Sequence, residues 1–234
     1  MRKLGLIGGM SWVSTRSYYT YINRFVQAKG PANSSAPLLI ESLDFSRLYR
    51  VTEDEGWENA ATILAASAKR LAKAGAGAIV IGANSMHKVY DEVAAAVDVP
   101  ILHIAECVGE KMEADGVAVA ALFGTRNVMT ESFYRQRLVA KGVDLLPPDM
   151  DNVEQLDRII YDELMQGKVT RSAERTLRTM ITVKEQAGAK AIVLASTELE
   201  MIVDVDANVL PIFDCTRIHA ERAAQWIIGE DLPA

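Results

Sequence analysis

Two short polar clusters, each following an apolar run, are the residues of this sequence best placed to do chemistry. "AGAGAIVIGANSMH", from residue 74, contains the first cluster: Ala83, Asn84 and Ser85. The similar stretch "AGAKAIVLASTELE", from residue 187, contains the second cluster: Ser196, Thr197 and Glu198. Short polar side chains next to exposed backbone N–H groups can bind an anion or take part in proton transfer. The repetition predicts a site built from two matching halves.

The same duplication extends along the whole chain. "KLGLIGGMS" matches "VAVAALFGTR", "TRSYYTYINRF" matches "TESFYRQRLV", and "DVPILHI" matches "NVLPIFD". Short apolar runs that alternate with segments of helical spacing predict parallel sheets with helices on both faces. We therefore expect an α/β fold of two pseudo-symmetric, Rossmann-like parallel-sheet domains, residues 1–113 and 114–234, with the active-site cleft between them. The C-terminal helix is expected to pack on the first half.

A pseudo-symmetric arrangement would bring the two clusters to opposite sides of one crevice, because ligands bind at the carboxyl ends of parallel strands. Racemisation suits such a crevice, since one group removes a proton and another returns it on the opposite face. Ligand binding without proton chemistry suits it equally well. The duplication alone leaves both interpretations open.

Composition narrows the class of partner. The chain of 234 residues carries 25 Lys and Arg against 31 Asp and Glu, a net charge of −6. This charge argues against nucleic acid or a membrane as a partner and favours a small molecule. The N-terminal "MRKLGLIGGMSW" reaches Gly-Gly before a signal-type apolar region forms, so we expect a cytoplasmic protein. The two cysteines and three scattered histidines predict no metal site.

Several motifs, in order along nearly the whole chain, resemble the aspartate/glutamate racemase family. They are "GLIGGMSWVST", "NSMHKV", "GTRNVM", "FYRQRL" and "STELEMIV", and they are most similar to the branch that carries "GGMSWEST" and "NTMHKV". The resemblance implies racemisation of small acidic amino acids or related dicarboxylates without a cofactor. It also implies catalytic residues at Ala83 and Ser196. We expect a homodimer.

At both catalytic positions the sequence departs from that family. Most members have a cysteine at each position, and the closest branch has threonine at the first and cysteine at the second; this chain has Ala83 and Ser196. A thiol, with a reference pKa of about 8.5, can be tuned to act as a base near neutral pH. Alanine carries no proton, and a serine hydroxyl is a far weaker base unless a neighbour activates it.

Further residues are candidates for substrate binding. The resemblance implies that the backbone of Met10 contacts a substrate carboxylate and that Lys168 binds a carboxylate. Helix capping or a solvated loop is the ordinary interpretation of such residues. We predict that the following residues line the site: Met10, Thr52, Asn84, Ser85, Met86, Thr125, Lys168, Thr197 and Glu198.

The sequence leaves four functions open. The chain could be a racemase inactivated by replacement of its thiols, a member with divergent lyase, decarboxylase or isomerase chemistry, or a weak racemase. It could also be a non-catalytic protein that binds a small carboxylate. His87 and the two cysteines, Cys107 and Cys215, are expected to be structural.

Overall fold

The computed structural model describes residues 1–51, 53–204 and 208–230. The chain folds into two compact units. The first unit comprises Met1–Ile104 and the chain from His219 onward, and the second comprises Ala105–Ile218. Within the described residues, no helix is long and apolar enough to cross a membrane.

A four-stranded parallel sheet of order β2-β1-β3-β4 forms the centre of the first unit. Its strands are β1 (Leu4–Gly8), β2 (Leu38–Ser42), β3 (Ala78–Ile81) and β4 (Ile101–Leu102). The helices introduced along this part of the chain are α1 (Trp12–Lys29), α2 (Asp54–Lys73), α3 (Tyr90–Ala94) and α4 (Ile104–Ala114). Ile104 is the last residue of this segment of the first unit, so most of α4 belongs to the second unit.

The second unit repeats this strand order as β6-β5-β7-β8, again entirely parallel. Its strands are β5 (Val119–Gly124), β6 (Asp144–Leu145), β7 (Ala191–Ala195) and β8 (Ile212–Asp214). The remaining helices are α5 (Arg126–Thr130), α6 (Ser132–Val139), α7 (Met150–Arg158), α8 (Arg171–Gln186) and α9 (Cys215–Ile228). Two four-stranded parallel sheets with flanking helices confirm the predicted α/β fold class.

The continuous apolar strands β1, β3 and β7 lie at central positions of their sheets. Every residue of β1, β3 and β7 is buried, as expected for parallel strands that are continuous apolar runs. The helices before β3 and β7 end next to Gly75 and Gly188, which both adopt a left-handed backbone, a common way for a helix to terminate. The two glycines therefore fix where β3 and β7 begin. The polar cluster of each unit lies just past the carboxyl end of that strand.

Candidate active site

The two clusters occupy equivalent positions in the two units. In the first, Ile7 pairs with Ile81, and Ala83 lies two residues beyond Ile81. In the second, Phe123 pairs with Leu194, and Ser196 lies two residues beyond Leu194. A glycine follows the strand residue in both cases, Gly8 after Ile7 and Gly124 after Phe123. The sequence repeat is thus also a repeat in strand register.

The first cluster is a buried turn that leads into a short 3-10 helix, Ser85–Val89. Ala83 and Asn84 are buried, and so is Met86. Asn84 stands at the N-cap of this short helix, but its side chain forms no capping bond within the described part of the chain. Ordinary capping is therefore not what the Asn84 side chain does here.

His87 fixes the shape of this turn through both ring nitrogens. Nδ1 lies 2.9 Å from the carbonyl oxygen of Ala83, and Nε2 lies 3.2 Å from the backbone nitrogen of Ile104. Because an amide N–H can only donate, Nε2 is the acceptor and Nδ1 carries the proton that it donates to Ala83. The expected structural role of His87 is confirmed, and this bonding does not suit a general base.

All three histidines meet in one buried aromatic cluster of the first unit, which the sequence did not predict. The His87 ring centroid is 4.6 Å from that of His103 and 6.0 Å from that of His219. His219 accepts a 2.7 Å hydrogen bond from the Tyr18 hydroxyl. Burial, and secondarily His87, lowers the pKa of His219 to about 3, so the ring is neutral at physiological pH. Among the described residues, no group of His, Cys, Asp and Glu could hold a metal ion.

The turn after β1 is built around Gly9, whose φ is 85°. A Cβ at Gly9 would overlap the backbone of Leu43, so glycine is required by close approach as well as by φ. The Gly9 N–H donates to Thr15 Oγ1 at 2.7 Å, and Thr15 Oγ1 donates to the Ser11 carbonyl at 3.0 Å. These bonds fix the path of buried Met10 into the start of α1.

The N-terminus of α1 has the properties of an anion-binding position. This helix is fully described and 18 residues long; its first turn holds no acidic residue, and Ser11 at its N-cap makes no side-chain capping bond. The first backbone N–H groups of a helix point beyond its N-terminus and carry a partial positive charge. They follow directly from the carboxyl end of β1 and suit a carboxylate ligand.

The second cluster is a buried hydrogen-bond network around one carboxylate oxygen. Ser196 Oγ donates to Glu198 Oε2 at 3.0 Å, and Thr197 Oγ1 donates to the same oxygen at 2.9 Å. All three residues are at most 5% exposed. The sequence predicted that Glu198 lines the ligand site, but not that it accepts a hydrogen bond from Ser196.

The remaining candidates do not join this network in the contacts of the described residues. Thr125 is buried after β5 and donates to Asn127 Oδ1 at 2.6 Å. Lys168 is exposed in the loop before α8. Thr52 lies outside the described residues. The assignment of these three residues to a ligand stays a prediction.

Neither cysteine supplies the missing thiolate. Cys215 is fully buried beside the Tyr134 hydroxyl, with 3.0 Å between Sγ and the oxygen, and burial raises the pKa of its thiol well above the usual range. Cys107 is buried on α4. Both have the core positions that the sequence predicts.

Comparison with known proteins shows the family to which this chain belongs. The chain is 38% identical to a candidate Asp/Glu racemase from Yersinia pestis, with a TM-score of 0.88 over 97% of this chain and 99% of that one. It is 33% identical to an aspartate racemase homologue from Pyrococcus horikoshii, with a TM-score of 0.83 over 98% and 100% of the two chains. Aspartate racemase from Picrophilus torridus shares the fold at 17% identity, with a TM-score of 0.76 over 100% and 96%. The family model for Asp/Glu/hydantoin racemases matches residues 7–223, and the chain belongs to this family.

Proposed function

We propose that this chain is an enzyme that delivers a proton to one face of a small carbanion, rather than a racemase that moves protons on both faces. Ser196 is the proton donor, and Glu198 is the carboxylate that orients its hydroxyl. The observation that carries the proposal is the hydrogen bond from Ser196 to Glu198, combined with the methyl group of Ala83 at the equivalent position of the other unit.

A serine hydroxyl suits proton delivery better than proton removal. To act as a base, Ser196 would have to lose its proton first, and a hydroxyl holds its proton far more tightly than a thiol does. To act as an acid, it needs only a carbanion that binds the proton more tightly than its own alkoxide does. Rotation about the Cβ–Oγ bond can redirect the hydroxyl proton from Glu198 to a ligand.

A carbanion can arise without a base if a carboxyl group leaves. In a malonate-type dicarboxylate, the bond to one carboxylate breaks, carbon dioxide departs, and the electron pair stays on the α-carbon, delocalised into the remaining carboxylate. The proton of Ser196 adds to that carbon, and water then reprotonates the serine oxygen. This sequence needs one proton donor, which fits a family member whose other position is Ala83.

The two units offer different charges to such a ligand. The start of α1, followed by Asn84 and Ser85 in the same unit, favours the carboxylate that is retained throughout the reaction. Buried Glu198 in the second unit favours an ammonium or hydroxyl substituent. That Ala83 and Ser196 face one cleft stays a prediction from the sequence, as do homodimerisation, a cytoplasmic location and independence from a cofactor.

The test measures carbon dioxide release and α-deuteration in deuterated water. Malonates that carry an amino, methyl or phenyl substituent are the probes, with both enantiomers of aspartate and glutamate as racemase substrates. We expect at least one malonate to lose carbon dioxide and to gain one deuterium in a single configuration. Aspartate and glutamate should keep their α-protons.

Variants separate the competing functions. Ser196→Ala should abolish the reaction, whereas Thr179→Ala removes an exposed α8 hydroxyl that bonds its own helix and should have no effect. Full turnover by Ser196→Ala would exclude Ser196 as the donor. Rapid racemisation of aspartate or glutamate by the unaltered chain would refute the proposal, and binding of the malonates without turnover would favour the non-catalytic alternative.

A further inference from the structure

A groove runs between α7 and α8 on the surface of the second unit. Its open part has a volume of about 320 Å³, which is at the lower end of the range for sites that bind small molecules. Asn152 and Gln155 of α7 line one side, and Met180 and Val183 of α8 line the other. A narrower hollow adjoins the open part, since Asp149 and Asn152 line both. None of the described residues that line this groove belongs to either polar cluster.

Arg135 of α6 lines the narrower hollow and is half-buried. Its Nη1 donates to the carbonyl of Met129 at 3.2 Å, and its Nη2 donates to the carbonyl of Leu146 at 3.3 Å. Both acceptors are uncharged, and no carboxylate among the described residues forms an ion pair with Arg135. Burial lowers the pKa of this guanidinium, but an arginine side chain stays protonated in proteins. Because a guanidinium has more N–H donors than these two bonds use, Arg135 can also bind an anion.

Positive charge predominates along the groove. Arg175 and Lys184 of α8 also line it, about 13 Å apart along the axis of that helix. Among the described lining residues, Asp149 is the one carboxylate, and it already caps α7. Its Oδ1 accepts hydrogen bonds from the N–H groups of Asp151 and Asn152, at 3.1 and 3.4 Å. The groove is thus cationic, although the net charge of the chain is −6.

The other acidic residues of α7 do not cancel this positive charge. Glu154 forms an ion pair with Arg126 at 3.3 Å, and Asp157 accepts a 2.9 Å hydrogen bond from the Arg126 N–H. Asp151 is exposed, so that water and salt screen its charge. These three carboxylates are not part of the groove lining.

The groove also has an apolar wall between its two ends. Met180 is buried and Val183 is 45% exposed, and they lie on the same face of α8 because they are three residues apart. Leu146 lies beside Arg135 in the narrower hollow. A ligand that matches this surface needs an apolar part as well as an anionic group.

We propose that the groove between α7 and α8 binds a small organic anion. Its carboxylate or phosphate group contacts Arg135 and Lys184, and its apolar part lies along Met180 and Val183. Arg175, at the other end of the groove, attracts a second anionic group in ligands that have one. This binding site is additional to the proposed function, because neither its residues nor its test involve the two clusters.

Isothermal titration calorimetry tests the chemical class of the ligand. Phenyl phosphate and 4-phenylbutyrate are the probes, and inorganic phosphate and the neutral 4-phenylbutanamide are the comparison compounds. We expect each probe to bind about tenfold more tightly than its comparison compound, because inorganic phosphate lacks the apolar part and the amide lacks the charge. Equal affinities within both pairs, or no binding of either probe at millimolar concentration, would overturn the proposal.

Two matched pairs of variants locate the bound probe. Lys184→Gln removes a cation that lines the groove and should weaken binding by about tenfold, whereas Arg178→Gln removes a cation of α8 outside the groove and should leave the affinity unchanged. Val183→Glu places a negative charge on the groove wall and should abolish binding. Val139→Glu, at a valine of α6 that is 54% exposed, should have no effect.

None of these four positions is buried, so the variants should fold. Binding that neither Lys184→Gln nor Val183→Glu weakens would refute the assignment of the probe to the groove. The measurement needs no turnover, so its outcome is independent of whether Ser196 donates a proton.

Discussion

Replacement of His219 by glutamine should make the stability of the protein less sensitive to acid. His219 is buried between the Tyr18 hydroxyl and the carbonyl of Leu102, with Nε2 donating to the latter at 3.1 Å. Glutamine has one acceptor and one donor for these partners and does not titrate. The variant also loses packing contacts, and this loss lowers its stability by a similar amount at every pH. The prediction therefore concerns how the stability changes with pH.

The expected size follows from the two pKa values. The folded-state pKa of His219, about 3, lies below the ordinary value of 6.5. Between these two pH values, the unfolded chain binds a proton at His219 and the folded chain does not. Stability is fully present above pH 6.5 and is lost as pH falls from 6.5 towards 3. When the pH falls from 7 to 5, protonation of His219 in the unfolded chain lowers the free energy of unfolding by about 2 kcal/mol.

Urea unfolding at pH 5, 6 and 7 measures this change. The loss on going from pH 7 to pH 5 should be smaller in His219→Gln by about 2 kcal/mol than in the unaltered protein. Asp214 acts in the opposite sense over much of this range, because its raised pKa costs stability as pH rises from about 4 to 7. That contribution is common to both proteins and cancels in the comparison. Equal losses in the two proteins would refute the buried neutral state of His219.

The remaining predictions concern the turn, the ligand and the missing thiols. Gly9→Ala should lower the free energy of unfolding by more than Gly116→Ala in the same urea assay. Both glycines have positive φ, but of the two only Gly9 has backbone atoms where a Cβ would lie. The backbone strain of Gly116→Ala alone is about 1–2 kcal/mol. Millimolar aspartate, glutamate or malonate should raise the melting temperature by mass action. Lys168→Ala should reduce that shift, and an undiminished shift would exclude Lys168 from ligand binding. Ser196→Cys should permit α-proton exchange of aspartate from one face. The double variant with Ala83→Cys should racemise aspartate at a rate far above the sum of the two single variants. Inactivity of the folded double variant would count against a shared site.

The fold could be predicted because its signals are local. Apolar runs, helical spacing and the two glycines that follow helices, Gly75 and Gly188, each act within a short stretch, and their repetition predicted the same succession of elements in both halves. The helical region after β5 shows the limit of such reasoning. The first half has one continuous helix, α1, whereas the matching region of the second half is divided into α5 and α6.

The chemistry of the site could be predicted only in part. The positions of Ala83 and Ser196 follow from strand ends, and the structure gives them equivalent registers. The histidine cluster depends on residues far apart in the chain, so spacing contains no trace of it. The role of Glu198 could have been suspected from the sequence, since it is two residues from Ser196, but only the side-chain conformations reveal that both hydroxyls of the cluster point to it.

The two halves of this duplicated protein share one topology but place different charged groups next to their clusters. In the first unit, the segment after β3 has no carboxylate within its cluster, and the start of α1 provides partial positive charge in the same unit. In the second unit, the cluster contains Glu198, the next turn contains Glu200, and Asp214 ends the strand β8 that pairs with β7. A racemase needs similar proton carriers in both halves, because its reaction runs in both directions across the same carbon. A reaction that holds a carboxylate in one half and supplies a proton from the other has no such requirement, and it tolerates an alanine at residue 83. The divergence between the halves, more than the loss of either thiol alone, therefore favours proton delivery from one side.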